Sequence, residues 1–138
     1  MSKTVPASFD EKDFNWKVPI GGEGHSSPVL WGDKIFLTAN DAGRDGAKRQ
    51  VLCLSAKDGS EIWAWGEKYK PHHINDKFNN FASATPVVDA ERVYLSWTTG
   101  DSREVVALTH DGDLAWRISR AGFDDTDHGS GASPILAE

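Results

Sequence analysis

The stretch Asp58-Gly59-Ser60-Glu61-Ile62-Trp63 recurs, with Asp, Gly and Trp at the same spacing, as Asp111-Gly112-Asp113-Leu114-Ala115-Trp116. An apolar run precedes each copy, at residues 51–54 and 105–108. Asp-Gly between apolar runs is typical of a β-hairpin, because glycine takes the positive φ that a tight turn requires. Each copy therefore predicts two antiparallel strands joined by a short turn, with a tryptophan on the second strand.

A second pair of strands is predicted upstream of each hairpin, and a hydroxyl residue followed by proline precedes its first strand. These dipeptides are Ser27-Pro28, Thr85-Pro86 and Ser133-Pro134, the last of which begins a third unit. A repeat of about fifty residues with four short strands is the pattern of a β-propeller blade. The sequence predicts an all-β chain that forms a partial β-propeller of about two four-stranded antiparallel blades.

The ends of the chain carry single strands of neighbouring units. Residues 14–20 align through Trp16 with the outer strands that hold Trp63 and Trp116, so a leading outer strand is predicted there. The boundaries are a flexible lead-in at 1–13, the outer strand of a preceding blade at 14–20, blade one at 27–65, a long crossing at 66–84, blade two at 85–118, and a crossing with the first strand of a third blade at 119–138. Within blade one, residues 40–50 are predicted to form a polar hairpin loop.

Composition excludes several classes of function. The net charge of −6 argues against a nucleic-acid surface, which needs clustered Lys and Arg. No stretch approaches the roughly 18 apolar residues of a membrane span, and no signal peptide is expected in this chain. Cys53 is the single cysteine, so no intrachain disulfide can form. Because about two blades leave open sheet edges, we expect further blades, a protein partner or self-association.

Several phrases together resemble one family. They are residues 16–20, His25 to Leu37, Leu54 to Trp63, Asn80 to Pro86 and His128 to Pro134. In this order they resemble the PQQ-type (quinoprotein alcohol-dehydrogenase-like) β-propeller repeat proteins of the PQQ-binding-like group. The resemblance implies closed rings of about seven or eight blades, and a periplasmic or secreted location, which the sequence alone leaves open.

The resemblance also implies that each blade's tryptophan packs between neighbouring sheets. A large flat side chain suits the space between sheets stacked about 10 Å apart. We therefore expect structural blade-docking roles for Trp16, Trp63 and Trp116 together with Gly59 and Gly112.

Two functions follow from this family. One is a non-catalytic propeller that serves as a scaffold or binding module, and the alternative is an arc of a PQQ- and Ca²⁺-dependent quinoprotein dehydrogenase. Dehydrogenase relatives have an aspartate base and commonly an adjacent pair of cysteines, whereas Cys53 is alone and no base can be singled out. The non-catalytic reading is favoured, and PQQ and Ca²⁺ enter only through the resemblance.

Polar residues at matching distances before each proline predict a ring at one mouth of the channel. His25 and Ser83 each lie three residues before their proline, and Asn80 and His128 each lie six before theirs. These four side chains are candidate ligand-binding residues; alternatively, they hydrogen-bond the backbone of the crossing loops. Their spacing fits no tetrahedral metal site, and we predict neither a metal site nor a catalytic residue.

Overall fold

The computed structural model describes residues 8–41, 47–69, 82–98, 102–122 and 131–137. Two four-stranded antiparallel sheets fill most of this part, each with its strands in sequence order. The first sheet consists of β1 Val29–Trp31, β2 Lys34–Asp41, β3 Lys48–Ser55 and β4 Glu61–Lys68. The second consists of β5 Val87–Val88, β6 Arg92–Thr98, β7 Ser102–Thr109 and β8 Leu114–Ala121. The prediction of an all-β partial propeller is confirmed.

The two sheets repeat each other down to their irregularities. Cys53 lies opposite Trp63 and Ala107 lies opposite Trp116, and the register shifts immediately after each of these pairs. The outer strand of each sheet therefore begins with the same bulge, which sets the direction of its tryptophan.

Both ends of the described chain lie beside the sheets. A 3₁₀ helix at Glu11–Asp13, capped by Asp10, precedes the leading segment. Residues 14–20 and 131–137 belong to no strand of either sheet. A strand is defined by hydrogen bonds to a neighbouring strand, and these two segments are paired with no strand of the described sheets. Their assignment to neighbouring blades stays a prediction.

The loop predicted at residues 40–50 is shorter than expected. β2 continues to Asp41 and β3 begins at Lys48, so polar residues extend the ladder at both sides. Arg49 and Gln50 are buried there although their side chains are polar. The prediction was wrong at these positions because it equated a polar sequence with exposure, whereas both side chains find hydrogen-bond acceptors inside the fold.

An apolar core fills the space between the sheets. The first sheet contributes Phe36, Val51 and Cys53, and the second contributes five residues: Val93, Leu95, Trp97, Val106 and Leu108. All of these side chains are nearly or completely buried. Burial raises the pKa of the Cys53 thiol to about 11. The packing of these two sheets against each other is therefore the main hydrophobic contact of the described chain.

A buried ion pair crosses the same interface. Arg49 Nη2 donates to Glu104 Oε2 at 2.8 Å, and Arg49 Nη1 donates to the carbonyl oxygen of Thr98 at 3.0 Å. Trp97 Nε1 donates to the same Glu104 oxygen at 3.0 Å. Burial lowers the pKa of the Arg49 guanidinium, and the Glu104 carboxylate opposes that effect. The pair thus has direct hydrogen bonds that offset part of its desolvation cost.

Aromatic rings extend this contact. The Arg49 guanidinium lies 4.2 Å from the centroid of Trp97, and Trp97 stacks on Trp65 with the planes 5° apart. The guanidinium of Arg117, which forms an ion pair with Glu67, lies 5.8 Å from the centroid of Trp65. Each of the two stacked indoles therefore contacts a guanidinium group.

The described part of the chain holds no helix with the length and apolar character needed to cross a membrane.

Replacing Glu104 by Gln should destabilise the fold, because Arg49 then keeps its charge in a buried site and loses the carboxylate to which it donates a hydrogen bond. We expect a loss of about 3 kcal/mol in the free energy of unfolding, measured by urea denaturation. The matched control is Glu91→Gln, which removes an exposed ion pair with Arg92 and should cost less than about 1 kcal/mol. Similar losses for the two variants would contradict the importance of the buried pair.

Candidate functional site

Trp16 lies flat on the turn that precedes β4. Its indole Nε1 donates to the carbonyl oxygen of Ala56 at 3.0 Å. Gly59 has φ +74°, and a Cβ added there would come within 2.7 Å of the Trp16 ring. The glycine therefore serves two purposes: it takes the left-handed conformation of the turn, and it leaves room for the indole.

Trp63 repeats this contact one unit further along the chain. Its Nε1 donates to the carbonyl oxygen of His110 at 2.9 Å. Gly112 has φ +93°, and a Cβ there would lie 2.9 Å from the Trp63 ring. Lys34 Nζ donates to the same carbonyl oxygen at 2.8 Å. The tryptophan of one unit thus covers the Asp-Gly turn of the next unit.

Trp116 has a different environment. Its ring is half-buried and lies 5.9 Å from that of Tyr94, which belongs to the same sheet. The described residues contain no third Asp-Gly turn for it to cover.

Two of the candidate mouth residues, His25 and Ser83, lie on crossing segments that contact each other. The backbone N–H groups of His25 and Ser26 both donate to the carbonyl oxygen of Ala82, at 3.0 and 3.1 Å, and Ser83 follows directly. A Cβ added to Gly131 would lie 3.9 Å from that of Ser83. The side chain of His25 is exposed. Asn80 and His128, the other two candidates, lie outside the described residues.

The hydroxyl residues before the prolines are linked from one unit to the next. The backbone N–H of Ser27 donates to Thr85 Oγ1 at 3.0 Å, and the backbone N–H of Thr85 donates to Ser133 Oγ at 2.9 Å. The sequence prediction used these residues only as strand openings and missed this link. The signal was available, since a hydroxyl residue precedes each of the three prolines that begin the units, and a hydroxyl oxygen can accept a backbone N–H at each of these positions.

Metal ligands are not gathered in the part of the chain that the structure describes: no three His, Cys, Asp or Glu residues lie close enough to hold an ion.

Comparison with known proteins identifies the family to which this architecture belongs. The family model described as outer membrane protein assembly factor BamB matches residues 15–138. The chain belongs to this family. The match confirms the resemblance to PQQ-like propellers that the sequence phrases indicated.

A solved BamB structure has the same fold. The crystal structure of BamB from Moraxella catarrhalis aligns with a TM-score of 0.52 and 18% sequence identity, over 75% of this chain and 27% of that chain. The chain therefore spans about a quarter of the BamB chain that it matches. No curated protein matches.

Replacing Gly112 by Ala should destabilise the contact with Trp63. Gly32→Ala is a matched control, because Gly32 also has positive φ but has open space around its Cβ position. The control should cost about 1 kcal/mol for the left-handed backbone alone. Gly112→Ala should cost about 1–3 kcal/mol more, because the indole must move. Urea unfolding followed by tryptophan fluorescence measures both, and equal costs would refute the close contact.

The hydroxyl link predicts different outcomes for two substitutions at Thr85. Thr85→Val keeps the shape but removes the acceptor for Ser27, so stability should fall by about 1 kcal/mol. Thr85→Ser keeps the acceptor and should retain most of the stability. Thermal denaturation of both variants checks this, and equal behaviour of Val and Ser would show that the hydroxyl contributes nothing.

Proposed function

We propose that this chain is an arc of a non-catalytic propeller that acts as a scaffold for protein contacts in outer membrane protein assembly. The observation that carries the proposal is the match of the BamB family model to residues 15–138. The chain spans about a quarter of the matched BamB chain, so the full ring includes blades beyond the two described ones. These blades come from further chain or from partner chains.

The contacts between the sheets support a rigid scaffold. In this proposal Trp16, Trp63 and Trp116, with Gly59 and Gly112, dock each blade on the next. Trp63 gives the clearest support, because its indole both donates a hydrogen bond to the neighbouring turn and packs against Phe36 at the core. Such a frame holds the crossing segments in fixed positions, and loops on a rigid frame commonly carry binding residues.

The mouth of the channel is the proposed contact surface. His25, Asn80, Ser83 and His128 would bind a polar group of a partner there. The exposed side chain of His25 and its position beside the Ala82–Ser83 crossing support this assignment. The hydroxyl link through Thr85 fixes the spacing between the crossings.

A complementation experiment tests the role in assembly. Deleting the gene in its host should lower the amount of folded outer membrane barrel proteins, measured by their heat-dependent mobility on gels. The wild-type gene should restore that amount, and a His25→Ala/Ser83→Ala variant with unchanged thermal stability should restore less. Unchanged barrel levels after deletion would refute the proposed role.

A titration tests the absence of catalysis separately. Purified protein should show no saturable absorbance change with PQQ and Ca²⁺ and no reduction of an acceptor dye with alcohols. Saturable binding together with dye reduction would refute the non-catalytic assignment and support a quinoprotein dehydrogenase.

A further inference from the structure

The first sheet has an apolar face on the side that points away from the second sheet. Along β2 and β3 the residues of this face alternate with those of the core between the two sheets. Three of its side chains are nearly completely buried, although the structure describes only two sheets. A segment outside the sheets therefore contributes the cover. The face consists of Ile35, Leu37, Ala39, Leu52 and Leu54.

The leading segment provides this cover. The Trp16 ring and the Val18 side chain both lie within 3 Å of the place where a Cβ of Gly59 would stand, at 2.7 and 2.9 Å. Ile20 lines a cavity together with Leu37 and Ala39 of β2. Trp16 lies on the Gly59 turn as Trp63 lies on the Gly112 turn. Residues 14–20 therefore hold, on the first sheet, the place that β4 holds on the second.

The outer side of the second sheet repeats the surface with which the first sheet binds it. All five residues of the first sheet in this comparison belong to the core between the sheets or pack against it. On the second sheet, Ile118 is 50% exposed and Trp116 is half-buried. The strand registers align Phe36 with Tyr94, Val51 with Val105, Cys53 with Ala107, Trp63 with Trp116, and Trp65 with Ile118.

These two surfaces match each other across separate copies of the chain. Gly59 has φ +74° and Gly112 has φ +93°, so both Asp-Gly turns have the shape that accepts an indole. Trp16 of the same chain and Trp116 of another copy therefore fit one turn. We propose that residues 14–20 cap the first sheet and exclude a second copy of the chain, whose second sheet would otherwise dock there through Trp116. The cap controls self-association and goes beyond the scaffold role.

The cap has the advantage of belonging to the same chain. The crossing that joins it to β1 is held by backbone hydrogen bonds in both directions between Glu23 and Asn40. A group tethered by a short linker has an effective concentration in the millimolar range. At about 1 μM protein, Trp16 thus has roughly a thousandfold advantage over Trp116 of another copy. The intact chain should be monomeric at this concentration.

A docked copy would bind less tightly than the two sheets of one chain bind each other. The registers place Ala39 and Gln50 where the second sheet has Trp97 and Glu104. The docked copy therefore offers neither the indole that stacks on Trp65 nor the carboxylate that pairs with Arg49. Association without the cap should accordingly be reversible.

The segment at 131–137 has to move when a copy docks. The backbone N–H of Thr85 donates to Ser133 Oγ, and Ser27 is the equivalent of Ser133 two units earlier. The Ser27 hydroxyl of the second copy can accept the same N–H, so this hydrogen bond is exchanged and not lost. Ile135 is 86% exposed, so moving its side chain gives up little buried apolar surface.

Removing the cap tests the proposal. Trp16→Ala in the full chain should lower the dissociation constant for self-association about a hundredfold, because the tethered competitor is lost. Sedimentation equilibrium from micromolar to millimolar protein measures it. Phe14→Ala is the matched control, because it removes an exposed aromatic side chain of the same segment that packs against Phe9. This control should associate no more than the wild type.

A charge on the docking surface tests the direction of association. Trp16→Ala/Ile118→Lys should be monomeric, because Ile118 faces away from the first sheet at the centre of that surface. Trp16→Ala/Ser119→Lys adds the same charge on the opposite face of β8, where Ser119 pairs with Glu104, and should associate like Trp16→Ala. Mixing Trp16→Ala/Ile118→Lys with the wild type should give a 1:1 complex that grows no further, since each chain then offers one of the two surfaces.

Three results would overturn the proposal: a Trp16→Ala chain as monomeric as the wild type, association that survives Ile118→Lys, or no complex on mixing. If Trp16→Ala does not fold, Trp16→Phe keeps a ring on Gly59 and loses only the hydrogen bond to Ala56. It should lower the dissociation constant about fivefold, and an unchanged constant would also overturn the proposal. These measurements use purified protein, so their failure leaves the role in outer membrane assembly standing, and a failure of complementation leaves the cap standing.

Discussion

The structure depends on an indole that lies against a glycine turn of the neighbouring unit. Each sheet has two apolar faces and cannot bury both by itself, so its stability requires a neighbour at a fixed distance and angle. Trp63 contributes to this contact, because its ring packs over Gly112 while its Nε1 hydrogen-bonds the carbonyl oxygen of His110. The hydrophobic core and the Arg49–Glu104 pair lie at the same junction between the sheets.

What the sequence could predict is what the two units share. The Asp-Gly turns, the apolar runs and the tryptophans occur twice, and the structure has two matching sheets with matching bulges.

What the sequence could not predict is where the units differ. Trp97 and Glu104 correspond to Ala39 and Gln50 in the other unit, so a comparison of repeats does not reveal their contact with Arg49. That contact brings together side chains from three strands, β3, β6 and β7, of two different sheets, about fifty residues apart in the chain. The segments at 14–20 and 131–137 show a related difficulty, because whether a segment forms a strand depends on a neighbour and not on its own residues.

The hydroxyl link and the tryptophan contacts have one property in common: each joins a unit to the adjacent unit, and the described contacts never skip one. Ser27 reaches Thr85, Thr85 reaches Ser133, and Trp16 and Trp63 each reach the following turn. In a chain with only nearest-neighbour coupling, stability grows stepwise as modules are added, and folding can start at any module and spread in both directions. Cooperativity then arises at each contact between adjacent units, so a few adjacent blades can keep their arrangement before the propeller ring is closed.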